Sequence, residues 1–195
     1  MTAVDERPIT DTAKIFENLE VPERFKAELL RGDIVMMAGR DRVHNAIVES
    51  VQDQIPRKHW SRLQTQDIAI PGEDSEPRPD LVVLERAAKL GSGRLIPAPD
   101  VTLVLEVVSK TSVDRDYGVK RSIYAAGNVP AYLIIDPMEQ HCVLLTEPAG
   151  SGESADYRTE RTSKFGDPVP LETLGVELDT SDFESLPPVK RHRRP

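Results

Sequence analysis

Val101-Thr102-Leu103-Val104-Leu105-Glu106-Val107-Val108 is the stretch of sequence on which the fold depends. It is rich in β-branched residues, which favour strands. Because its apolar residues are continuous rather than alternating, it predicts a strand that is buried on both faces, as at the centre of a sheet. Glu106 is the one acidic residue in this run. A charged residue that breaks a local rule in this way often marks a functional site.

Two further apolar runs flank this stretch and also predict strands. One is Asp80–Leu84 and the other is Val129–Asp136, and each lies beside a proline. Between the second and third strands, Asp114–Ala126 has the pattern of a helix, with Gly127 at its C-terminal cap. A helix in that interval can join two parallel strands by a right-handed crossover. The strand–strand–helix–strand order therefore predicts a mixed α/β sheet.

The rest of the chain predicts elements around this centre. Residues 13–30 predict two short helical pieces that are separated at Pro22, and residues 34–37 predict a short strand. Asp41–Ile55 has an apolar residue every four positions, which indicates an amphipathic helix with Asp41 as its N-cap. Further extended segments are predicted at residues 60–70, at 141–146, at 157–165 as an exposed edge strand, and at 169–178 as a C-terminal β extension.

Length, charge and cysteine content limit the class of protein. A chain of 195 residues is most simply one domain, here residues 13–186, with flexible tails at 1–12 and, strongly basic, at 187–195. The net charge of −8 argues against a general polyanion binder. The single cysteine, Cys142, permits no intrachain disulfide, which favours a reduced cytoplasmic protein. No apolar run approaches the roughly 20 residues of a membrane span, so no membrane is expected.

Asp80 and Glu106 predict a metal site. If their two strands pair antiparallel, the start of one strand and the end of the other meet at the same edge of the sheet. Two carboxylates at that edge offer the oxygen ligands that a hard cation such as Mg²⁺ prefers. Such a cation can acidify a bound water and neutralise the charge that develops on a phosphate.

Lys120 is predicted to lie between the following helix and the sheet. At about 100° per residue, it shares a helix face with Tyr117, Ile123 and Tyr124. An ammonium group in that apolar stripe requires a carboxylate partner. Asp116 lies one turn earlier on the same face and is a candidate to hold the lysine in position.

These residues carry a resemblance to known nucleases. Pro79-Asp80 followed by Leu105-Glu106-Val107-Val108-Ser109 resembles the split motif of the PD-(D/E)XK nuclease superfamily, although Val108 stands where that superfamily usually has its lysine. The chain is also similar to the Uma-type family of putative restriction-endonuclease-like proteins, in which the lysine lies on the following helix. That likeness runs from about residue 25 to 178 and rests on these segments: Glu28-Leu29-Leu30-Arg31-Gly32-Asp33, His44, Glu106-Val107-Val108-Ser109, Asp116, Lys120, Tyr124, Gly127-Asn128-Val129-Pro130 and Ile135-Asp136-Pro137.

The resemblance implies a fold and a set of roles. The fold is restriction-endonuclease-like, of the α/β (α+β) class, with a mixed central sheet flanked by helices. Asp80, Glu106 and the carbonyl of Val107 would bind Mg²⁺ or Mn²⁺, and Lys120 would position the attacking water or stabilise the pentacovalent phosphate. Either Glu28 or Glu49 would complete the site, and Glu28 is preferred because it lies in a segment that carries the likeness. His44 and Asp116 are additional candidates.

The function implied is that of a metal-dependent endonuclease acting on DNA as a homodimer or higher oligomer. Two alternatives stay open. Val108 and the acidic net charge favour a catalytically inactive nuclease-fold protein with a binding or regulatory role. An oligomeric scaffold held by a structural ion pair is the other. Single residues also have plainer readings: Glu106 can pair with Arg78 or Arg121, and Tyr117 and Tyr124 can serve packing alone.

Overall fold

The computed structural model describes residues 11–23, 25–70, 72–88, 91 and 93–187. Its centre is a six-stranded mixed sheet, whose strands lie in the spatial order β10 (Asp156–Lys164), β9 (His141–Ala149), β8 (Ala131–Asp136), β7 (Leu103–Val107), β5 (Leu81–Glu85) and β3 (Trp60–Leu63). Three two-stranded units surround it: β1 (Phe25–Leu30) with β2 (Asp33–Ala38), β4 (Ile68–Ala69) with β6 (Ile96–Pro97), and β11 (Val169–Leu171) with β12 (Val176–Leu178).

Three α-helices complete the described part of the fold. They are α1 (Asp11–Glu17), α2 (Arg42–Gln54) and α3 (Lys120–Ala126), and a π-helical turn, Arg115–Val119, leads into α3. None of them, within the residues described, is long and apolar enough to cross a membrane. The predicted tails at 1–12 and 187–195 lie almost wholly outside the described residues, and α1 already begins at Asp11.

The centre of the sheet has the predicted connectivity. β5 and β7 are antiparallel, with Leu81 opposite Leu105. β7 and β8 are parallel, with Leu105 opposite Leu133, and α3 lies in the crossover between them. Leu103 and Leu105 pack in the core cluster that contains the apolar face of α2, whereas Val104 packs in the cluster that contains α3. Both faces of β7 are therefore covered, which explains its continuous apolar sequence.

Helix α2 forms as its sequence predicts. Val43, Ile47 and Val51 are buried along one stripe and pack on the sheet. Asp41 is the N-cap, and its side chain accepts a hydrogen bond of 2.9 Å from the N–H of His44. The cap fixes where the helix begins, and it thereby fixes the position of His44 in the first turn.

The prediction of a second helical piece within residues 13–30 is wrong, because Phe25–Leu30 is strand β1. Arg31 and Gly32 both have positive φ, 51° and 81°, and form a tight turn that folds β1 back on β2. Ala27 and Leu29 then face α1 in a small apolar cluster. Over six residues, an apolar pattern cannot distinguish helix from strand, and pairing across the turn decides in favour of the strand.

Two extended segments are more divided than predicted. Residues 60–70 form two strands in different sheets, β3 and β4, rather than one. Residues 169–178 fold into the antiparallel pair β11–β12. The predicted edge strand is confirmed, since β10 lies at one end of the large sheet and most of its side chains are exposed.

Gly127 closes the crossover at a point where there is little room for a side chain. Gly127 is the C-cap of α3 and has φ −76°, so a left-handed backbone does not explain why glycine occupies this position. The next residue, Asn128, has the left-handed conformation, with φ 54°. A Cβ atom on Gly127 would lie 3.1 Å from Cδ1 of Ile70 and 3.2 Å from Cβ of Ala98. A side chain at this position would therefore force Ile70 or Ala98 to move by a few tenths of an ångström.

We expect Gly127→Ala to lower the free energy of unfolding by about 1–3 kcal/mol, because the added methyl group overpacks a filled contact. Urea denaturation measures this change. Gly118→Ala is the matched control, since a Cβ there meets nothing within 4 Å. It should leave stability unchanged or raise it by up to about 1 kcal/mol, because alanine favours helix. Equal stability of Gly127→Ala and wild type would contradict this account of the crossover.

Candidate active site

Two acids meet at the edge of the sheet where β5 begins and β7 ends. The N–H of Asp80 donates to the carbonyl of Leu105 at 3.0 Å, so Asp80 lies directly beside the end of β7. Glu106 is the next residue of β7, and both carboxylates are buried. They line a cavity of about 290 Å³ between the β1–β2 hairpin and the start of the helical segment that carries α3. The antiparallel pairing thus brings the two acids together as the sequence predicts.

Lys120 lies buried between two glutamates. Its Nζ donates to Oε1 of Glu106 at 2.6 Å and to Oε1 of Glu28 at 2.9 Å. The hydroxyl of Tyr124 donates to the same Glu106 oxygen at 2.9 Å, so this tyrosine does more than pack. Glu28 also accepts the N–H of Arg78 at 2.9 Å. A cation and two anions therefore share one buried site, and each charge depends on the others.

The three charges shift one another's pKa values. Burial alone would lower the pKa of Lys120, but the Glu106 and Glu28 carboxylates raise it well above its usual value, so it stays an ammonium at neutral pH. Burial opposes ionisation of Glu28, yet the charges of Lys120 and Lys26 lower its pKa. Burial raises the pKa of Glu106, and the Asp80 charge adds to the rise despite Lys120. Of the two glutamates, Glu106 holds its negative charge less readily.

Asp80 is surrounded by donors and cations. Its Oδ2 accepts the N–H of Val107 at 2.8 Å and lies 2.6 Å from Nε2 of His44. Lys26 Nζ lies 3.7 Å from Oδ1, and the guanidinium of Arg40 contacts the same oxygen. Burial alone would raise the pKa of Asp80, but the His44 hydrogen bond and the charges of Lys26 and Arg40 hold it well below its usual range. Asp80 is therefore ionised at any physiological pH.

Lys26 and Arg40 are site residues that sequence reasoning missed. Lys26 lies two positions before Glu28 on β1, and alternate residues of a strand share a face. Its Nζ also lies 3.4 Å from Oε1 of Glu28, so it spans two of the acids. Reading this segment as a strand would have found Lys26 beside Glu28. Arg40 follows β2 in a segment with no periodic signal, and nothing in the sequence points to it.

Asp116 lies at the back of the same cavity. It is buried, and its Oδ1 has no hydrogen-bond partner among the described residues. Burial raises the pKa of Asp116 to about 7, although the Lys120 charge opposes this shift. Asp116 therefore changes its protonation state near neutral pH, unlike Asp80.

The remaining candidates fall outside the site. Glu49 is exposed on α2 and does not line the cavity, whereas Glu28 joins the site through its contact of 2.9 Å with Lys120. Arg78 pairs with Asp67, and Arg121 pairs with Asp156 and Glu160. Neither arginine therefore serves as the counter-charge of Glu106. The Tyr117 hydroxyl donates to Asp136 at 3.2 Å and lies 3.0 Å from Nε2 of His141, beside the cavity rather than in it.

The chemistry of the donor set fits a hard cation that keeps water ligands. Asp80 and Glu106 offer carboxylate oxygens. The N–H of Val107 donates to Asp80. Because the N–H and the C=O of one residue in a strand point toward the same neighbouring strand, the Val107 carbonyl also faces the side of Asp80. The described residues hold no group of three or more His, Cys, Asp or Glu side chains arranged for a metal. Waters would therefore complete the shell, as Mg²⁺ prefers, and Asp80 would have to release Lys26 and Arg40.

Comparison with known proteins agrees with this architecture. The model of the Uma2 family, described as "Putative restriction endonuclease", matches residues 14–181. The crystal structure of a putative nuclease belonging to DUF820 from Anabaena variabilis ATCC 29413 is similar, with a TM-score of 0.62 and 17% identity, covering 86% of this chain and 94% of that chain. At this identity the structural likeness shows the fold alone, and the predicted fold class is confirmed. No curated protein matches the chain.

We expect Lys120→Met to lower the free energy of unfolding by about 3–5 kcal/mol, because it leaves two buried carboxylates without their cation. Urea denaturation at pH 7 measures the loss. Lys110→Met is the control, since Lys110 lines the same cavity but is exposed. It should change stability by less than about 0.5 kcal/mol. A similar, small loss in both variants would show that the buried ion pairs are not what holds α3 to the hairpin.

Asp116 predicts a pH dependence of stability. Because its pKa is raised to about 7 from 3.8, the folded protein holds a proton that the unfolded chain has lost between those values. Stability from this group is present below pH 3.8 and is lost as the pH rises towards 7. The free energy of unfolding of Asp116→Asn should therefore rise relative to that of wild type between pH 4 and 7, by up to about 4 kcal/mol. Denaturation curves across that range test it, and a constant difference would contradict it.

Proposed function

This chain belongs to the Uma2 family of putative restriction endonucleases, and we propose that it is a metal-dependent endonuclease that hydrolyses phosphodiester bonds of DNA. The observation that carries the proposal is the placement of Asp80 and Glu106 at one sheet edge with the Lys120 ammonium beside them. A metal held by two carboxylates can activate a water for phosphodiester hydrolysis, and a fixed cation beside it can offset the charge that develops on the phosphate. Mg²⁺ or Mn²⁺ is the proposed cofactor.

The metal would be held by Asp80, Glu106 and the Val107 carbonyl. When bound there, a divalent cation supplies a Lewis acid that lowers the pKa of a bound water and offsets phosphate charge. It would also compensate the negative charge of Glu106, whose pKa burial raises. The protein's part is to fix these oxygens in a buried pocket, so that little reorganisation is needed during the reaction.

Lys120 acts as a fixed cation in this proposal and not as a general base. Its raised pKa keeps it protonated, and an ammonium has three N–H donors. Glu28 and Glu106 account for two of them. The third can donate to the attacking water or to a phosphate oxygen in the cavity. Glu28 thus serves as a positioning residue that acts through Lys120.

The cations on Asp80 suggest how substrate would enter. Lys26 and Arg40 contact the oxygen Oδ1 of Asp80 and also line the cavity. A phosphodiester bound there would offer them a new anionic partner and free Asp80 for the metal. His44 keeps its contact with Oδ2 and orients the carboxylate. In this role Lys26 and Arg40 bind the phosphate, and His44 is a positioning residue.

A second candidate function is supported by the same contacts. Lys26, Arg40 and His44 already satisfy Asp80, and Val108 replaces the superfamily's usual lysine. A site that is neutralised by its own side chains fits a nuclease-fold protein that binds DNA without cutting it. Calorimetric titration with Mn²⁺ separates the two candidates. If the protein is an enzyme, wild type should bind Mn²⁺ and Glu106→Gln should bind it more weakly, whereas a protein that only binds DNA need not bind the metal.

Assembly and location are further parts of the proposal. Two sites can cut both strands of a duplex in one binding event, so we propose a homodimer, which sedimentation would test. Cys142 is buried in β9, and burial raises the pKa of its thiol to about 12, which makes it an unreactive packing residue. A free buried thiol is compatible with the reducing cytoplasm proposed for this chain.

We expect Asp80→Asn and Glu106→Gln each to reduce DNA cleavage at least about 100-fold, because each removes a charged ligand of the metal. Nicking of supercoiled plasmid in Mg²⁺ or Mn²⁺ measures the rate. Glu49→Gln is the control, since it removes an exposed acid outside the cavity, and it should cleave like wild type. Circular dichroism establishes that each variant is folded. Cleavage that persists in both site variants would refute the assignment.

A further inference from the structure

A second cationic surface lies at the far end of α2 from the candidate active site. Four cations form it, and we call it the distal basic patch: Arg57, Lys58, Arg62 and Arg86. Arg57 and Lys58 follow α2, Arg62 lies in the edge strand β3, and Arg86 follows β5. They line a cleft of about 490 Å³ together with Trp60. The patch is therefore built from three separate elements of the fold.

Within the described part of the chain, the patch has no ion-paired acid, unlike several other basic residues of the surface. Elsewhere, Lys14, Arg121 and Arg161 form ion pairs with carboxylates. Among the residues that the structure describes, no ion pair joins a carboxylate to Arg57, Lys58, Arg62 or Arg86. The patch thus keeps its positive charge in a chain whose net charge is −8.

Only one of the four cations has a structural task. Arg62 donates to the carbonyl of Ile55 at 2.8 Å and also to that of Gln52, and so caps the C-terminal end of α2. Cations are favourable at that end of a helix. Arg57, Lys58 and Arg86 make no such contact among the described residues and are exposed.

The cations of the patch also repel one another. Burial lowers the pKa of Arg62, and the charges of Arg57 and Arg86 lower it further, against an opposing effect of Asp53. Like charges held this close cost stability in the free protein. Asp53 opposes the charge of Arg57 but does not cancel it, and an anion bound between the cations would remove the remaining cost.

We propose that the distal basic patch binds the phosphate backbone of DNA beyond the cleavage site. The inference rests on the proposed function in that the bound DNA is the nuclease's substrate. From His44 to Ile55, α2 spans about 17 Å at about 1.5 Å per residue. That length equals about five base pairs at about 3.4 Å each. A duplex of this length is therefore long enough to span the separation between the active site and the patch.

The test measures the affinity of the protein for a fluorescein-labelled 20-base-pair duplex by fluorescence anisotropy. EDTA is present so that no cleavage occurs. The variant is Arg57→Gln/Lys58→Gln/Arg86→Gln, which leaves the cap residue Arg62 intact. We expect its Kd at 100 mM salt to rise at least about tenfold. The slope of log affinity against log salt should fall by roughly 2–3, because about 0.9 of a counterion is released per phosphate contact.

The matched control is Lys14→Gln/Arg121→Gln/Arg161→Gln, which also removes one lysine and two arginines but takes cations that are already paired. Its Kd should stay within about twofold of wild type. Equal weakening in the two triple variants would overturn the proposal in favour of net charge alone. Unchanged binding by the patch variant would overturn it as well.

A free phosphorylated molecule is the other source of the same ligand chemistry. Titration calorimetry with inorganic phosphate distinguishes it from DNA. Phosphate binding that is lost in the patch variant, with unchanged affinity for the duplex, would assign the patch to a small anion and overturn the proposal for DNA. Because binding is measured without metal, its outcome is independent of whether Asp80 and Glu106 support cleavage.

Discussion

The buried contact of Lys120 with Glu28 and Glu106 is the interaction on which the arrangement of the site depends. Its three members come from α3, β1 and β7, and they are far apart in the chain. A buried charge without a partner is very unfavourable, so the helix, the hairpin and the sheet must meet where these charges meet. Hydrophobic packing would hold α3 against the sheet in several positions, but the ion pairs select one of them.

That constraint produces a site in which the charges of protein groups balance. The cations Lys26, Arg40 and Lys120 face the acids Glu28, Asp80 and Glu106. Each of the three acids thus has a cationic neighbour within the protein. In the proposed function, a metal and a phosphate would enter together, since the metal would replace the cations on Asp80 and the phosphate would take those cations up.

Much of this arrangement could be predicted from the sequence. The continuous apolar run of β7, the N-cap of α2 and the helix face of Lys120 are local signals, and each one was sufficient for its element. Helix geometry placed Lys120 against the sheet, where an ammonium group needs a carboxylate, but it did not decide between Glu106 and another acid. Strand β1 could not be assigned, because its six residues fit either period and its partner is set by the turn at Arg31. Because β1 was assigned as a helix, Lys26 was not predicted as a site residue. The choice between Glu28 and Glu49 depended on the family resemblance and not on geometry.

Anomalous diffraction from a crystal soaked in Mn²⁺ would show whether Asp80 and Glu106 hold a metal, because it locates the metal without relying on activity. We expect one strong peak about 2.0–2.3 Å from carboxylate oxygens of both residues, with waters in the remaining positions. Lys120 should keep its contact with Glu28, and Arg40 should have left Asp80. A crystal with no peak between Asp80 and Glu106, and with Arg40 still on Asp80, would contradict the account.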